Sequence, residues 1–550
     1  MFTQLWHRAG ARGQRAPRNR MRANRTLRLG VEALEERCLM SADVVIEWNQ
    51  LFLNTAKANR VSPVLITRDA AIVSAAVYDA VNDIDRSYTP YFADFKASQG
   101  ASLEAAAAQA AHDTLSALFP AQQATFDATL AADLANIPPG RARQGVAVGQ
   151  AVAQAILTWR STDGSNAHVN YTPGTAPGDW QPTPPAFLPA ALPQWGNVTP
   201  FGIPSGSAFR AAPPPALTSA DYTTAFNEVK TIGDIHSTTR TADQSQIAQF
   251  WYGQAGTYTA SGYWNQIAEE VAVQQGNSLV QNARLFALLN LTEADAAIAV
   301  WDTKYTYNFW RPVTAIRAAD TDGNPDTTAD PNWTPFLVTP NFPSYNSGHS
   351  GVSSGAATVL AAFFGTDAVS FSLSSDSLPG ATRSYTRFSA AAQEASDSRV
   401  YAGIHWRFDV VAGALIGSQV GTYITTHFML PVSDNGDDGD SGAGIRGSAA
   451  RRPGGASGPA FEVSAIIQAL SSSSSAPLAT GPGSVSPDGA EDLHSGIMIG
   501  KDTPVSSTPA LTQSITSPTH TRVLDQVFAS IPDDPRSGAF ADDGRPAWEV

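Results

Sequence analysis

The chain has 550 residues, 43% of them hydrophobic, enough to bury a large core in more than one folding unit. A formal net charge of -14 argues against a general binder of nucleic acid or anionic membranes, and a single cysteine, Cys38, excludes an internal disulfide framework or a cysteine-rich metal site. No run approaches the roughly 18 consecutive apolar residues that a membrane span needs.

In chain order, residues 1–42 read as a basic leader. Residues 1–30 hold eight arginines and no acidic residue, a targeting composition without the apolar stretch of a secretory signal. The next segment, "LEERCLMSAD", resembles the LEPR-XLL-type signature near the N-terminus of some bacterial surface proteins through Leu34, Glu35, Arg37, Leu39 and Ser41; Glu36 stands where that signature has proline. The resemblance implies export or a cell-surface location; the alternative is an ordinary basic leader.

Residues 43–430 read as the folded body. Apolar residues recur at helical spacing in Pro63–Asp85, Ser102–Phe119, Gly140–Ser161 and Ser261–Gly276, and "TSADYTTAFNEV" opens with capping residues ahead of its periodic run. Strand-like alternation is scarce, so the expectation is an all-α helical bundle. The prolines of Asn170–Asn197 forbid a continuous helix there, and so long an insertion is expected either to wall a substrate channel or to pack on the surface. Residues 431–550 turn rich in Gly, Ser, Asp and Pro and read as a largely disordered tail. Within it, "DNGDDGD" reads as a solvated linker, because the later glutamate of a calcium loop is missing, and "HTRVLDQVFASI" as a short amphipathic helix.

Three clusters in the body carry chemistry. In "WDTKYTYNFWRP" (Trp301–Pro312), Lys304 and Arg311 are seven apart, two helical turns, and are expected to project from one helix face that Pro312 ends. Two such cations suit an oxyanion, although a solvated basic face has the same pattern. In "NFPSYNSGHSG" (Asn341–Gly351), Ser347 reads as the N-cap of a small-residue helix whose first amides are free to meet an anion. Gly348 leaves its N–H unobstructed, and His349 titrates near neutral pH. In "SDSRVYAGIHWRFDVVAG" (Ser396–Gly413), Arg399 adds an oxyanion donor. His405 and Asp409 are four apart, so on a helix the carboxylate would reach one imidazole nitrogen and leave the other basic.

Taken together, Lys304-x6-Arg311-Pro312, Ser347-Gly348-His349 and Ser398-Arg399-x3-Gly403-x-His405-x3-Asp409 resemble the three-part signature of vanadium-dependent haloperoxidases and their type-2 phosphatidic-acid-phosphatase relatives, eleven identities at fixed internal spacings. Asn346 departs from it, since relatives usually have proline before Ser-Gly-His. The resemblance implies an all-α fold with helical-bundle cores and vanadate as cofactor. Lys304, Arg311 and Arg399 would bind the anion's oxygens, with hydrogen bonds from Ser347 and the Gly348 amide. His405 would be the vanadium ligand oriented by Asp409, and His349 the acid–base. Trp301 and Phe342 resemble the halide-site aromatics of the chloroperoxidase-like branch. The implied reactants are hydrogen peroxide, a halide (bromide or chloride) and a small organic acceptor, with a homo-oligomer left open. Because vanadate and phosphate share shape and charge, two alternatives stay open: an acid-phosphatase-like hydrolase forming a phosphohistidine at His405, and a non-catalytic surface protein.

Overall fold

The structure, a computed structural model, describes residues 43–432. The leader with its surface-protein-like signature, the acidic "DNGDDGD" stretch and the expected "HTRVLDQVFASI" helix lie outside the described residues.

Helix α1 (Val44–Ala58) leads into α2 (Pro63–Asp85), which opens on proline at the one position where a missing N–H costs nothing. Next come α3 (Leu103–Leu118), α4 (Gln123–Leu134) and α5 (Pro139–Arg160). Ser102 Oγ caps α3 by accepting from Ala105 N. The alanine-rich α3 packs between α2 and α5, giving a first apolar group of helices. The proline-rich 170–197 insertion is irregular until a 3-10 turn at Trp195–Asn197, as its composition requires.

A second group follows with α6 (Ala220–Ile232), α7 (Ala242–Phe250), α8 (Thr259–Gln275) and α9 (Leu279–Tyr307). Helix α9 starts at a capping box in which Ser278 and Gln281 satisfy each other's backbone amides. It is the spine of the molecule, packed against α2 and against the second and fourth of the four helices that follow. Those are α10 (Pro312–Arg317), α11 (Gly348–Phe364), α12 (Phe388–Tyr401) and α13 (Arg407–His427). A two-stranded antiparallel hairpin, β1 (Phe371–Ser374) and β2 (Thr382–Tyr385), with Phe371 opposite Tyr385, is the one strand pair within the described residues. No described helix is long and apolar enough to cross a membrane.

Two devices hold this frame. Buried carboxylates gather loop amides: Asp79 accepts from Tyr91, Phe92 and Ala93, and Asp295 from Phe201, Gly202 and Ile203, at 2.7–2.9 Å. Glycines let α13 press onto α11. A Cβ added at Gly417 would lie 1.9 Å from Gly351 O, and one at Gly413 would lie 2.3 Å from Ser347 O, so no larger residue fits the crossing. That closeness brings the first turns of α11 and α13 side by side, and Ser347 N donates to Asp409 O at 2.9 Å.

Candidate active site

Lys304 and Arg311 do not share a helix face, contrary to the reading of their spacing. Helix α9 ends at Tyr307, Asn308 takes the left-handed conformation as its cap, and Arg311 is the N-cap of α10. Asn tolerates that backbone better than most residues, and its stop signal outranks the continuing apolar pattern. Lys304 therefore comes from the last turn of a long helix and Arg311 from the loop after it. Both are fully buried.

Lys304 Nζ donates to the carbonyls of Pro343, Ser344 and Asn346. All three ammonium protons thus lie in the loop preceding Ser347, and the side chain pins that loop. Its charge sits 4.9 Å from the Phe342 ring centroid and 5.7 Å from that of Trp301. Burial, then the nearby Arg311, pulls its pKa well below the usual lysine value, and Asp409 pushes the other way.

Arg311 donates through Nε to Phe342 O at 2.9 Å and through Nη1 to Ile404 O at 2.8 Å, with His405 Nε2 3.0 Å from the same Nη1. Its Nη2 is buried without a partner. Arg399, in the last turn of α12, donates Nη1 to Trp251 O at 3.0 Å and leaves Nε without a partner. Among the described residues Arg399 makes no ion pair. Burial draws Arg311 down to about 9 and Arg399 down to about 10. Three buried cations thus gather round His405, and Asp409 is the carboxylate beside two of them, which leaves excess positive charge in a low-dielectric setting.

His405 and Asp409 meet as their spacing suggests, but not within a helix. His405 lies two residues before α13, and Asp409 is its third residue, reaching back to Trp406 N at 3.2 Å. His405 Nδ1 lies 2.8 Å from Asp409 Oδ2. An arginine can only donate, so the Arg311 contact identifies Nε2 as the lone-pair nitrogen and places the proton on Nδ1. Burial, then the Arg311, Lys304 and Arg399 charges, holds the His405 pKa well below its usual value. The ring is therefore a neutral, oriented base. Burial lifts the Asp409 pKa, and hydrogen bonding and nearby cations hold it back.

Ser347 caps α11 as expected: Ser350 N and Ser350 Oγ both donate to its hydroxyl oxygen. One residue further, Gly348 and His349 line a cavity of about 140 Å³. His349 Nε2 is buried and unpartnered, and desolvation followed by the Arg399 charge keeps this imidazole neutral. Trp301, Phe342, Arg399 and His405 line the same cavity, with the two aromatic centroids 4.9 Å apart. Lys304, Arg311, Ser347 and Asp409 stand behind that lining.

Further contributors lie outside the three sequence clusters. The long insertion does form a wall, since Ala191 and Leu192 line the cavity. Its docking contacts are Ala191 N to Asn341 O at 2.9 Å and Asn341 Nδ2 to Pro189 O at 2.7 Å. Tyr252 lines the cavity too. Gly403 is required by the backbone: its φ is +77°, and an added Cβ would lie 2.3 Å from Gly233 O.

Comparison with known proteins finds vanadium haloperoxidases. The family model described as the VCPO second helical-bundle domain matches residues 284–434, which contain Lys304, Arg311, His349, Arg399, His405 and Asp409. Vanadium chloroperoxidase of Curvularia inaequalis is 26% identical over 347 residues, covering 48% of this chain and 55% of the relative. This chain thus spans about half the length of that curated relative. A bacterial vanadium-dependent iodoperoxidase superposes with a TM-score of 0.64 at 27% identity, over 71% of this chain and 98% of that one.

The chain is similar in sequence and fold to vanadium-dependent haloperoxidases. The holo-type structure of a bacterial vanadium-dependent chloroperoxidase, at 17% identity and a TM-score of 0.54 over 66% of this chain and 92% of that one, shares the fold. The haloperoxidase relatives thus differ in the halide of their names, chloride in two and iodide in one.

Proposed function

We propose that the protein is a vanadate-dependent haloperoxidase, oxidising a halide with hydrogen peroxide and one proton to hypohalous acid and water, with a small organic molecule as the halogen acceptor. The observation that carries this reading is a set of buried, unpartnered groups at and just behind one cavity: Arg399 Nε and His349 Nε2 on residues that line it, and Arg311 Nη2 on the arginine that contacts the lining residue His405. Buried donors without acceptors are costly unless a ligand takes them up, and donors on two arginines suit a tetrahedral oxyanion. The residues present therefore fit vanadate. Arg311 and Arg399 would hold its oxygens, with the Ser347 hydroxyl and the Gly348 amide at the α11 N-terminus, and His405 Nε2 would be the protein ligand.

When bound, vanadate supplies a Lewis-acid centre that activates peroxide toward halide. His349, neutral through burial, accepts a proton at Nε2 as peroxide enters and returns it as water leaves. Asp409 keeps the His405 proton on Nδ1 and its lone pair on Nε2. Lys304 holds the 343–346 carbonyls in place and adds positive charge where negative charge builds. Trp301 and Phe342 exclude water from the approach of a weakly hydrated halide.

The test is a paired assay on one metal-stripped preparation. One arm adds vanadate, peroxide and chloride, bromide or iodide in turn, and follows halogenation of a cyclic diketone. The other omits vanadate and follows phosphate release from an aryl phosphate. The expected result is vanadate-dependent halogenation that excess phosphate competes away and that His405→Ala lowers by more than about 100-fold. Phosphate release without any halogenation would replace the reading with phosphoester hydrolysis.

A further inference from the structure

Asp409 Oδ2 carries three donors while its Oδ1 has none. Two of the three, His405 Nδ1 and Trp406 N, belong to the same short stretch of chain as Asp409. The third, Ser344 Oγ at 2.5 Å, comes from the loop between α10 and α11. Ser344 is fully buried. Its N–H donates to Phe309 O at 2.8 Å, and its carbonyl accepts from Lys304 Nζ at 3.0 Å. Ser344 thus ties its own segment to the other two that carry chemistry, to 301–312 through its amide and carbonyl and to 396–413 through its hydroxyl.

We infer that Ser344 is a positioning residue, which fixes the Asp409 carboxylate and, through it, the ring plane and tautomer of His405. The physical argument is one of restraint. A carboxylate bonded only to groups on its own stretch of chain fixes their mutual geometry but not their place relative to the anion loop. The Ser344 hydroxyl supplies that outside anchor. An O–H donor to an ionised oxygen is the shorter and stronger class of hydrogen bond. Ser347 N to Asp409 O anchors the backbone of the same turn, so Ser344 acts on the side chain specifically. Groups that orient a metal-bound histidine from behind typically change affinity by about 10- to 100-fold when removed.

The inference rests on the haloperoxidase reading only for the identity of the anion, and two measurements on Ser344→Ala separate the two. The first uses the metal-free protein labelled with 15N-histidine, and reads the His405 tautomer by long-range proton–nitrogen correlation, with His405→Ala for assignment. Wild type is expected to show the Nδ1–H form alone, and Ser344→Ala, in which a freed Asp409 no longer holds the ring in the plane that meets Arg311 Nη1, a mixture of tautomers. The second is calorimetric titration with vanadate, expected to weaken about 10- to 100-fold while near-UV circular dichroism stays native. Ser344→Cys, of similar size with a weak S–H donor, is expected to fall between them, and it replaces the alanine variant in both arms should that variant fail to fold. An unchanged tautomer together with unchanged vanadate affinity overturns the role of Ser344. Absence of vanadate binding in wild type overturns the haloperoxidase reading instead, and the tautomer measurement, which needs no anion, still decides the role of Ser344.

Discussion

Two kinds of buried charge occur in this molecule, and they are built in opposite ways. Asp79 and Asp295 each collect three backbone amides, so that both carboxylates are saturated from within the protein. The cavity group is left short: one nitrogen on each of Arg311, Arg399 and His349 and one oxygen on Asp409 have no partner. Glu293, in the middle of α9, shows a third solution. One of its oxygens is also unpaired, but burial lifts its pKa well above the ordinary range, which favours the neutral form and so avoids a buried charge. The arginines of the cavity have no such escape, because they stay charged. What separates architecture from a ligand site is thus not burial of charge but whether the protein itself satisfies the charge it buries.

Three measurements sharpen or break that distinction. The largest effect is expected at the saturated type. Asp295→Ala strips three loop amides of their acceptor and is expected to cost about 3–5 kcal/mol in urea denaturation, while vanadate affinity of the folded protein stays unchanged. A loss of affinity without loss of stability would put Asp295 in the site. The unsaturated type should respond the other way. Arg399→Met removes an unpaired buried cation, so the anion-free protein is expected to hold or gain about 1–2 kcal/mol. Phosphate at 100 times its wild-type Kd adds about 2.7 kcal/mol to the wild type by mass action, and it should add nothing to the variant. A destabilised variant that still gains from phosphate would make Arg399 structural.

The smallest effect concerns pH. Burial lowers the His349 pKa in the folded state. Below the reference value of about 6.5, the unfolded chain binds a proton that the fold refuses, so stability falls as pH drops from 7 to 5. The slope due to this one group approaches about 1.4 kcal/mol per pH unit. Urea midpoints of His349→Gln at pH 7, 6 and 5 should show a slope shallower by that amount. An unchanged slope would mean that His349 binds its proton equally in the folded and unfolded chain, so that burial does not set its protonation state.

Local signals in the sequence were good where the cause is local. The helix beginning after Ser347 follows from a hydroxyl that can meet the amide three residues on, and α2 was legible to the residue because Pro63 and its apolar spacing agree. The same logic failed at Lys304 and Arg311. Seven residues fit two turns, but Asn308 ends the helix between them, and a single left-handed residue is invisible to periodicity. His405 and Asp409 were paired correctly for a partly wrong reason, since a capping geometry gives the same contact as a helical one.

By itself, the sequence determined a helical body, the cap at Ser347, the irregular 170–197 segment and the side chains that bring oxyanion and imidazole chemistry. These are short-range consequences of residue type, set by sterics and by the nearest available hydrogen-bond partners. The tertiary structure alone decided that Ser344 anchors Asp409, that the insertion supplies Ala191 and Leu192 to the cavity wall, and which nitrogens are left without partners. Each of these depends on segments separated by tens to more than a hundred residues arriving at one place. That arrival is decided by how α9, α11 and α13 pack, with Gly413 and Gly417 permitting the close crossing, and no local pattern encodes it.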